Sequence, residues 1–255
     1  MLQYITRDLK TVAHRRFTLA YVIGIIALCL IANTAVVGFR MIYGTNDGTF
    51  AYNLIEYATW CFVLPYYSCI IIADIVFGKA YPNPRIKDKI TKNMSRTQIY
   101  LSKFLTSLIL AVIFLIIAFL FLMGTTTLFQ LGDGTMQMWV VKDFLDKMWL
   151  ALPLWVAGIS IGNMCLFITK HKKKAYIVFI IITVAVPRII MFFAAYPFEW
   201  ALFRNIRRFL ISQNFSLLPY PADPNRSVPL IIGIGIGYSI LANVAGVIAF
   251  NKKKF

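Results

Sequence analysis

Six runs of apolar residues, each long enough to cross a bilayer as a helix, dominate the chain. A hydrocarbon core about 30 Å thick takes roughly 20 residues of α-helix, and every backbone N–H and C=O inside it must be bonded within the segment. The runs Phe17 to Phe39, Leu54 to Phe77, Phe104 to Phe129, Met148 to Ile168, Ala175 to Pro197 and Val228 to Phe250 meet that length. Hydrophobic residues make up 60% of the 255 and charged ones 14%, against about 45–50% apolar content in a soluble domain. The expected fold is all-α: a polytopic bundle of six spans, with residues 1–255 forming one transmembrane domain and no stretch left for a soluble one. The first run follows Arg7, Lys10, Arg15 and Arg16 as a signal peptide would. It is longer than a signal peptide's apolar region and no small-residue cleavage site follows it, so it is expected to remain as a span.

The formal charge of +16, from 26 Lys and Arg against 10 Asp and Glu, would suit nucleic acid if the cations formed one patch. They lie between the apolar runs instead, and 18 of the 26 fall in the N-terminal segment, the loop 78–103, the loop 169–174 and the tail with Lys252, Lys253 and Lys254. Basic residues concentrate on the cytoplasmic side of spans, so both termini are expected in the cytoplasm and a membrane, not nucleic acid, is the expected partner. The abundance of Lys, Ile and Asn suggests a bacterial plasma membrane. Cys29, Cys61, Cys69 and Cys165 all fall in apolar stretches, which points to neither a disulfide framework nor a metal site.

Two segments have the spacing of interfacial amphipathic helices. Residues 2–16 place Leu2, Ile5, Leu9 and Val12 three or four apart with Arg7, Lys10 and Arg15 between them. Residues 200–211 alternate Trp200, Phe203, Ile206 and Leu210 with Arg204, Arg207 and Arg208, between Pro197 and the prolines 219, 221, 224 and 229. A short outer helix, partly re-entrant, is expected there between spans five and six.

The loop after span two carries the most information. Ile86, Ile90 and Met94 recur every four residues among Arg85, Lys87, Lys89 and Lys92, which predicts a short surface helix, and Ser95 is placed to cap a helix starting at Arg96. Asp74, Ile86, Lys87, Ser95, Arg96, Ile99, Tyr100 and Lys103 resemble the type-2 permeases of ATP-binding-cassette exporters, in which an acidic residue and a basic Ile-Lys stretch precede Ser-Arg-x-x-Ile-Tyr-x-x-Lys. The chain has Pro84-Arg85 where that family has Gly-Thr. The resemblance implies a coupling surface at Arg85, Ile86, Lys87, Lys89, Ile90, Met94, Ser95, Arg96 and Lys103. It also implies a dimer with a second permease copy or paralogue, and a separate ATPase dimer that holds ATP and Mg. The chain itself has no G-x-x-x-x-G-K-[ST] phosphate loop. Compact permeases of this kind often export amphipathic or antimicrobial peptides, and that cargo is the expectation here.

Other signals weigh towards structure. Gly158-Ile-Ser160-Ile-Gly162 matches the serine-hydrolase elbow, which needs a strand-to-helix turn and a nearby base; His14 and His171 lie outside the spans, so no catalytic residue is expected and Gly158 and Gly162 read as a helix contact. Gly233 and Gly237 read likewise, as a packing or dimer face. Glu56 and Asp74 fall at opposite ends of span two, about 27 Å apart on one helix face, and Arg188, beside Pro187, is expected either to line the pathway or pair with Glu56, or else to order the bundle or snorkel outward. The alternatives are an ion-coupled secondary transporter, hinted at by Pro65, Pro187 and Arg188, or a membrane sensor or enzyme that transports nothing.

Overall fold

The computed structural model describes residues 2–43, 50–77, 95–129, 137–169, 171–223 and 226–252. The expected surface helix at Arg85 to Met94 lies outside them. The described residues are helical, with no strand among them.

Helix α1 (Leu2–Ala13) is separate from α2 (Arg16–Tyr43). Its apolar stripe buries Val12 to 1% exposure, and the Thr18 hydroxyl donates to the Val12 carbonyl at 2.7 Å, tying the two helices where the chain turns. Among the described residues five helices are long and apolar enough to cross a bilayer: 16–39 of α2, α5 (Arg96–Phe129), α6 (Met138–Ile168), the rod Lys172–Ala194 and α11 (Val228–Lys252). Both α5, with 34 residues, and α6, with 31, exceed a membrane's thickness. Their polar ends, Arg96 to Lys103 and Met138 to Lys147, therefore continue past the apolar stretches on opposite sides of the bundle.

The second apolar run is broken. It forms α3 (Phe50–Trp60) and α4 (Val63–Phe77), with 58° between 51–60 and 63–77. The cause is Pro65, which has no N–H to give the Cys61 carbonyl and whose ring would collide with it; Leu64 N–H reaches that carbonyl instead, at 2.9 Å. The Trp155 indole N–H donates to the Phe62 carbonyl at the break, at 2.8 Å. The straight helix expected over Leu54 to Phe77 is thus corrected, and Glu56 and Asp74 do not share one helix face.

The rod Lys172–Ala194 also carries a defect, a π-helical turn at Ile181–Ala185 between α7 (Lys172–Ile180) and α8 (Val186–Ala194). Pro187 cannot donate to the Thr183 carbonyl, and the wider turn just before it absorbs the misfit. The rod ends at Ala194, short of the expected Pro197, because Ala195 is extended.

Helix α6 is the axis of the molecule: 72% of its most apolar stretch is buried inside the bundle, against 11–28% for the other long spans. Helices α4 and α11 lie along it. The core between them is aromatic, with Phe167 in ring contact with Phe77, Tyr100 and Phe250 at 4.6–4.7 Å. Between the rod and α11 the chain forms α9 (Ala201–Arg207) and α10 (Ile211–Leu217). Phe193 stacks on Trp200 at 5.0 Å, which fixes α9 to the end of the rod. Helix α10 folds back into the bundle and sets Phe215 against Tyr66 and Trp155, at 5.6 and 6.2 Å. The expected single outer helix over 200–211 is in fact this pair, of which α10 is the buried member.

Candidate functional site

Chemistry-bearing side chains gather at the end of the bundle where both termini lie. The last turn of α4 leaves carbonyls without intrahelical partners, and the negative end of its dipole favours cations there. Two basic residues supply them. Lys103 Nζ, on α5, donates to the Val76 carbonyl at 3.1 Å, and the Arg15 guanidinium donates to the Ile75 carbonyl. Lys103 is only 7% exposed and pairs with Asp8 of α1 at 2.7 Å, with the Tyr4 ring 5.9 Å from its ammonium. An acid at position 8 stands in the α1 stripe of Tyr4 and Val12, four residues from each, which is the sequence signal that marks it as an inward-facing partner.

Asp74 is the acid of the same end. It pairs with Lys172 of α7 and accepts a hydrogen bond from the Tyr176 hydroxyl at 3.3 Å, so it joins α4 to the start of the fifth span. Arg96 donates to the Asn251 carbonyl at 2.7 Å and, at 3.4 Å, to that of Phe250, capping the end of α11. Ser95 caps α5 as expected, in a reciprocal box. Its hydroxyl accepts from Gln98 N–H at 3.2 Å while the Gln98 side chain accepts from Ser95 N–H at 3.1 Å. Of the residues assigned to a coupling surface, Lys103 is enclosed within the chain and Arg96 holds a helix end. Arg85, Ile86, Lys87, Lys89, Ile90 and Met94 lie outside the described residues.

Arg188 does not pair with Glu56: no ion pair joins them among the described residues. Arg188 is solvent- or lipid-exposed and stands six residues from Ala194, about 9 Å from the far end of its rod. Glu56, on α3, is carried away by the break in span two and sits beside Tyr52.

The glycines divide cleanly. A Cβ at Gly158 would stand 2.7 Å from the Tyr66 ring, and one at Gly162 would stand 3.2 Å from Ile70 Cα, so both let α6 press against α4. Gly233 and Gly237 have nothing within 4 Å, and the close contact of α11 is made instead by Gly235, where a Cβ would lie 2.5 Å from Pro153, and by Gly246, against Tyr100. Gly233 and Gly237 thus make no close helix contact within this chain. Ser160 bridges two helices, accepting from Asn243 of α11 at 3.1 Å. Asn33 of α2 donates to Thr125 of α5 at 3.0 Å, and the Tyr21 and Ser68 hydroxyls meet at 2.8 Å. These polar links tie helices together in a bundle where apolar packing alone gives little specificity.

The opposite end contains a cavity of about 320 Å³ between the break in span two, α10 and the strand of chain at 219–223. Trp60, Arg207, Gln213, Ser216, Tyr220 and Asp223 are among its walls. Sequence reasoning singled out Arg207 only as part of a basic helix; Trp60, Gln213 and Asp223 come to it from three separate segments.

No family of known proteins matches the sequence, and neither does any curated protein.

Proposed function

We propose that the chain is the membrane-spanning permease subunit of an ATP-driven exporter in a bacterial plasma membrane, with the end that carries both termini in the cytoplasm. ATP and Mg bind on a separate ATPase dimer, and the permease works with a second copy or a paralogue. The observation that carries this reading is the segment Asp74 to Lys103, whose residues resemble those of type-2 permeases and whose ends are anchored at α4 and α5. Asp74 and Lys103 tie those ends into the bundle, so a push on 78–95 from a docked ATPase would be delivered to the second and third spans. The amphipathic helix α1, lying on the inner leaflet, is bolted to the same point through Asp8. Lipid-facing spans rich in Phe, Leu and Ile suit apolar or amphipathic cargo, with antimicrobial-type peptides the leading class.

The test is a mild-detergent pull-down of the tagged chain, with and without Lys87→Glu/Lys89→Glu. Arg96 is left intact because its loss would free the end of α11. An ATPase recovered with the native chain and lost with the double variant supports the proposal; a preparation in which no ATPase is recovered from the native host refutes it.

A second reading has its own observation. The broken second span and the π turn beside Arg188 are discontinuities of the kind secondary transporters use. Uptake or efflux in vesicles that follows an ion gradient and persists without ATP would favour it.

A further inference from the structure

We propose that the junction of α5, α6 and α11 is a binding site for one ordered water molecule, held by Tyr100, Asn163 and Asn243. The site is built by this chain alone and does not rest on an ATPase being its partner.

The register of the helices brings the three residues together. Helices α6 and α11 run parallel: Gly235 meets Pro153, Asn243 meets Ser160 and Phe250 meets Phe167. The offset is nearly constant along the pair, so Gly246 stands level with Asn163. The Tyr100 hydroxyl lies against Gly246, where a Cβ would also stand 2.7 Å from the ring carbons Cε2 and Cζ, so the glycine is what admits the phenol to that level. Helix α5 meets α6 through Phe119 on Phe144 and Tyr100 on Phe167. Around the axis of α6, Asn163 falls between those two phenylalanines, about 40° from Phe167, and therefore faces the same groove. Tyr100 and Asn163 are both 0% exposed. They lie about 8 Å inside the end of α6 at Ile168.

Counting donors and acceptors selects the occupant. Asn163 Nδ2 donates to the Ile159 carbonyl at 3.1 Å, and Asn243 Nδ2 to the Ser239 carbonyl at 2.8 Å as well as to Ser160. A backbone carbonyl only accepts, so these bonds fix which end of each amide is nitrogen and leave the two oxygens over. Asn163 Oδ1, Asn243 Oδ1 and the Tyr100 hydroxyl are all buried, and none has a hydrogen-bond partner among the described residues. Both amides bond back to the preceding turn of their own helix, which keeps the three oxygens within about one turn, 5.4 Å, of a common level. One bridging molecule covers that span. In a bilayer core an unpaired polar group is costly, and water meets all three needs at once. Its two protons go to the two amide oxygens and its own oxygen accepts from the phenol, which makes the three bonds typical of buried water. A monovalent cation fits less well, because none of the three groups carries a charge to set against its own. Through the water, α5 gains a polar link to both α6 and α11 beside the ring contacts of Phe167.

The experiment is radiolytic footprinting of the purified full-length chain in a maltoside detergent. X-ray pulses split water into hydroxyl radicals where it sits, and mass spectrometry then locates side chains oxidised beside a bound water that bulk solvent does not reach. Tyr100 is expected to be oxidised about tenfold faster than Phe179, which is also buried at 1% exposure, once the intrinsic reactivities of the two rings are divided out. Asn163→Leu/Asn243→Leu removes both acceptors and leaves Tyr100 in place, and should bring its rate down to that of Phe179. A Tyr100 rate no higher than that of Phe179 in the native chain, or equal in the native chain and the double variant, would overturn the assignment. If the double variant does not fold, Asn243→Leu alone is read in the same way. The unfolding midpoint is also compared in equal concentrations of sodium, potassium and choline chloride, with no difference expected. A rise in sodium or potassium that Asn243→Leu abolishes would overturn water in favour of a cation.

Discussion

Substituting Gly235 tests the packing of the bundle's axis most directly. A Cβ there would stand 2.5 Å from the carbonyl carbon and the Cβ of Pro153 and 2.7 Å from its carbonyl oxygen. Carbon atoms in good contact sit about 3.5–4.0 Å apart, so Gly235→Ala forces α11 away from α6 by about 1 Å. The obstacle is backbone and a rigid ring, so no rotamer change relieves it. Overpacking of this kind costs about 1–3 kcal/mol, and the upper part of that range applies because the displaced contact lies in the most extensive helix–helix contact of the fold. Alanine's better helix propensity returns about 1 kcal/mol, for a net loss of about 2 kcal/mol. Gly233→Ala and Gly237→Ala gain the same propensity and meet nothing within 4 Å, so they should be neutral or slightly stabilising. The assay is unfolding of each purified variant in detergent, followed by circular dichroism. A Gly235→Ala midpoint indistinguishable from that of Gly237→Ala would refute the reasoning. Loss of stability at 233 or 237 alone would show instead that a second copy covers the outward face of α11.

Three further outcomes follow from the terminal end and the break. Lys103→Met leaves Asp8 buried without its cation and should destabilise by about 3–5 kcal/mol, while Asp8→Asn/Lys103→Met recovers part of that loss; detergent unfolding of the two checks it, and an equal or larger loss in the double variant would contradict the pairing. Arg96→Gln removes the cap on α11 and should cost about 0.5–1 kcal/mol, seen as faster amide exchange confined to residues near 250, and exchange unchanged there would mean the cap contributes nothing. Trp155→Phe keeps the ring contacts but deletes the donor to the Phe62 carbonyl, for a loss of about 1 kcal/mol, and an unfolding midpoint equal to the native one would show that the break is held by Pro65 alone.

Most of the architecture was legible because the bilayer constrains it so strongly: length, apolarity and basic flanks locate the spans before any contact is known. The Ser95 cap was legible as well, since a serine before a helix with Gln98 three residues on is a local pattern. The break in span two was not, although Pro65 stands in plain sight. A proline in a first turn is tolerated when a helix starts afresh before it and disruptive when one runs through it. Which of these holds depends on Trp155, 90 residues away in sequence, offering its indole N–H at that level. The shared face of Glu56 and Asp74, inferred from a straight span two, failed with it.

The small-residue face shows the same limit at finer scale. Spacing of four identifies Gly233 and Gly237 as lying on one side of a helix, but periodicity says nothing about which side meets protein. Gly235 is two residues from each and thus on nearly the opposite side, and it is the one that faces α6 because Pro153 stands there. Charges at the terminal end divide in the same way. Arg96 and Lys103 were legible as basic residues near a loop, and a count of loop charges cannot separate those that point at a partner from those that close helix ends inside the chain. That separation needs the carbonyls of Val76 and Asn251, which carry no mark in the sequence. Lys87 and Lys89 are therefore the cations on which a test of partner docking should rest, because altering Arg96 or Lys103 would disturb the bundle whether or not a partner exists.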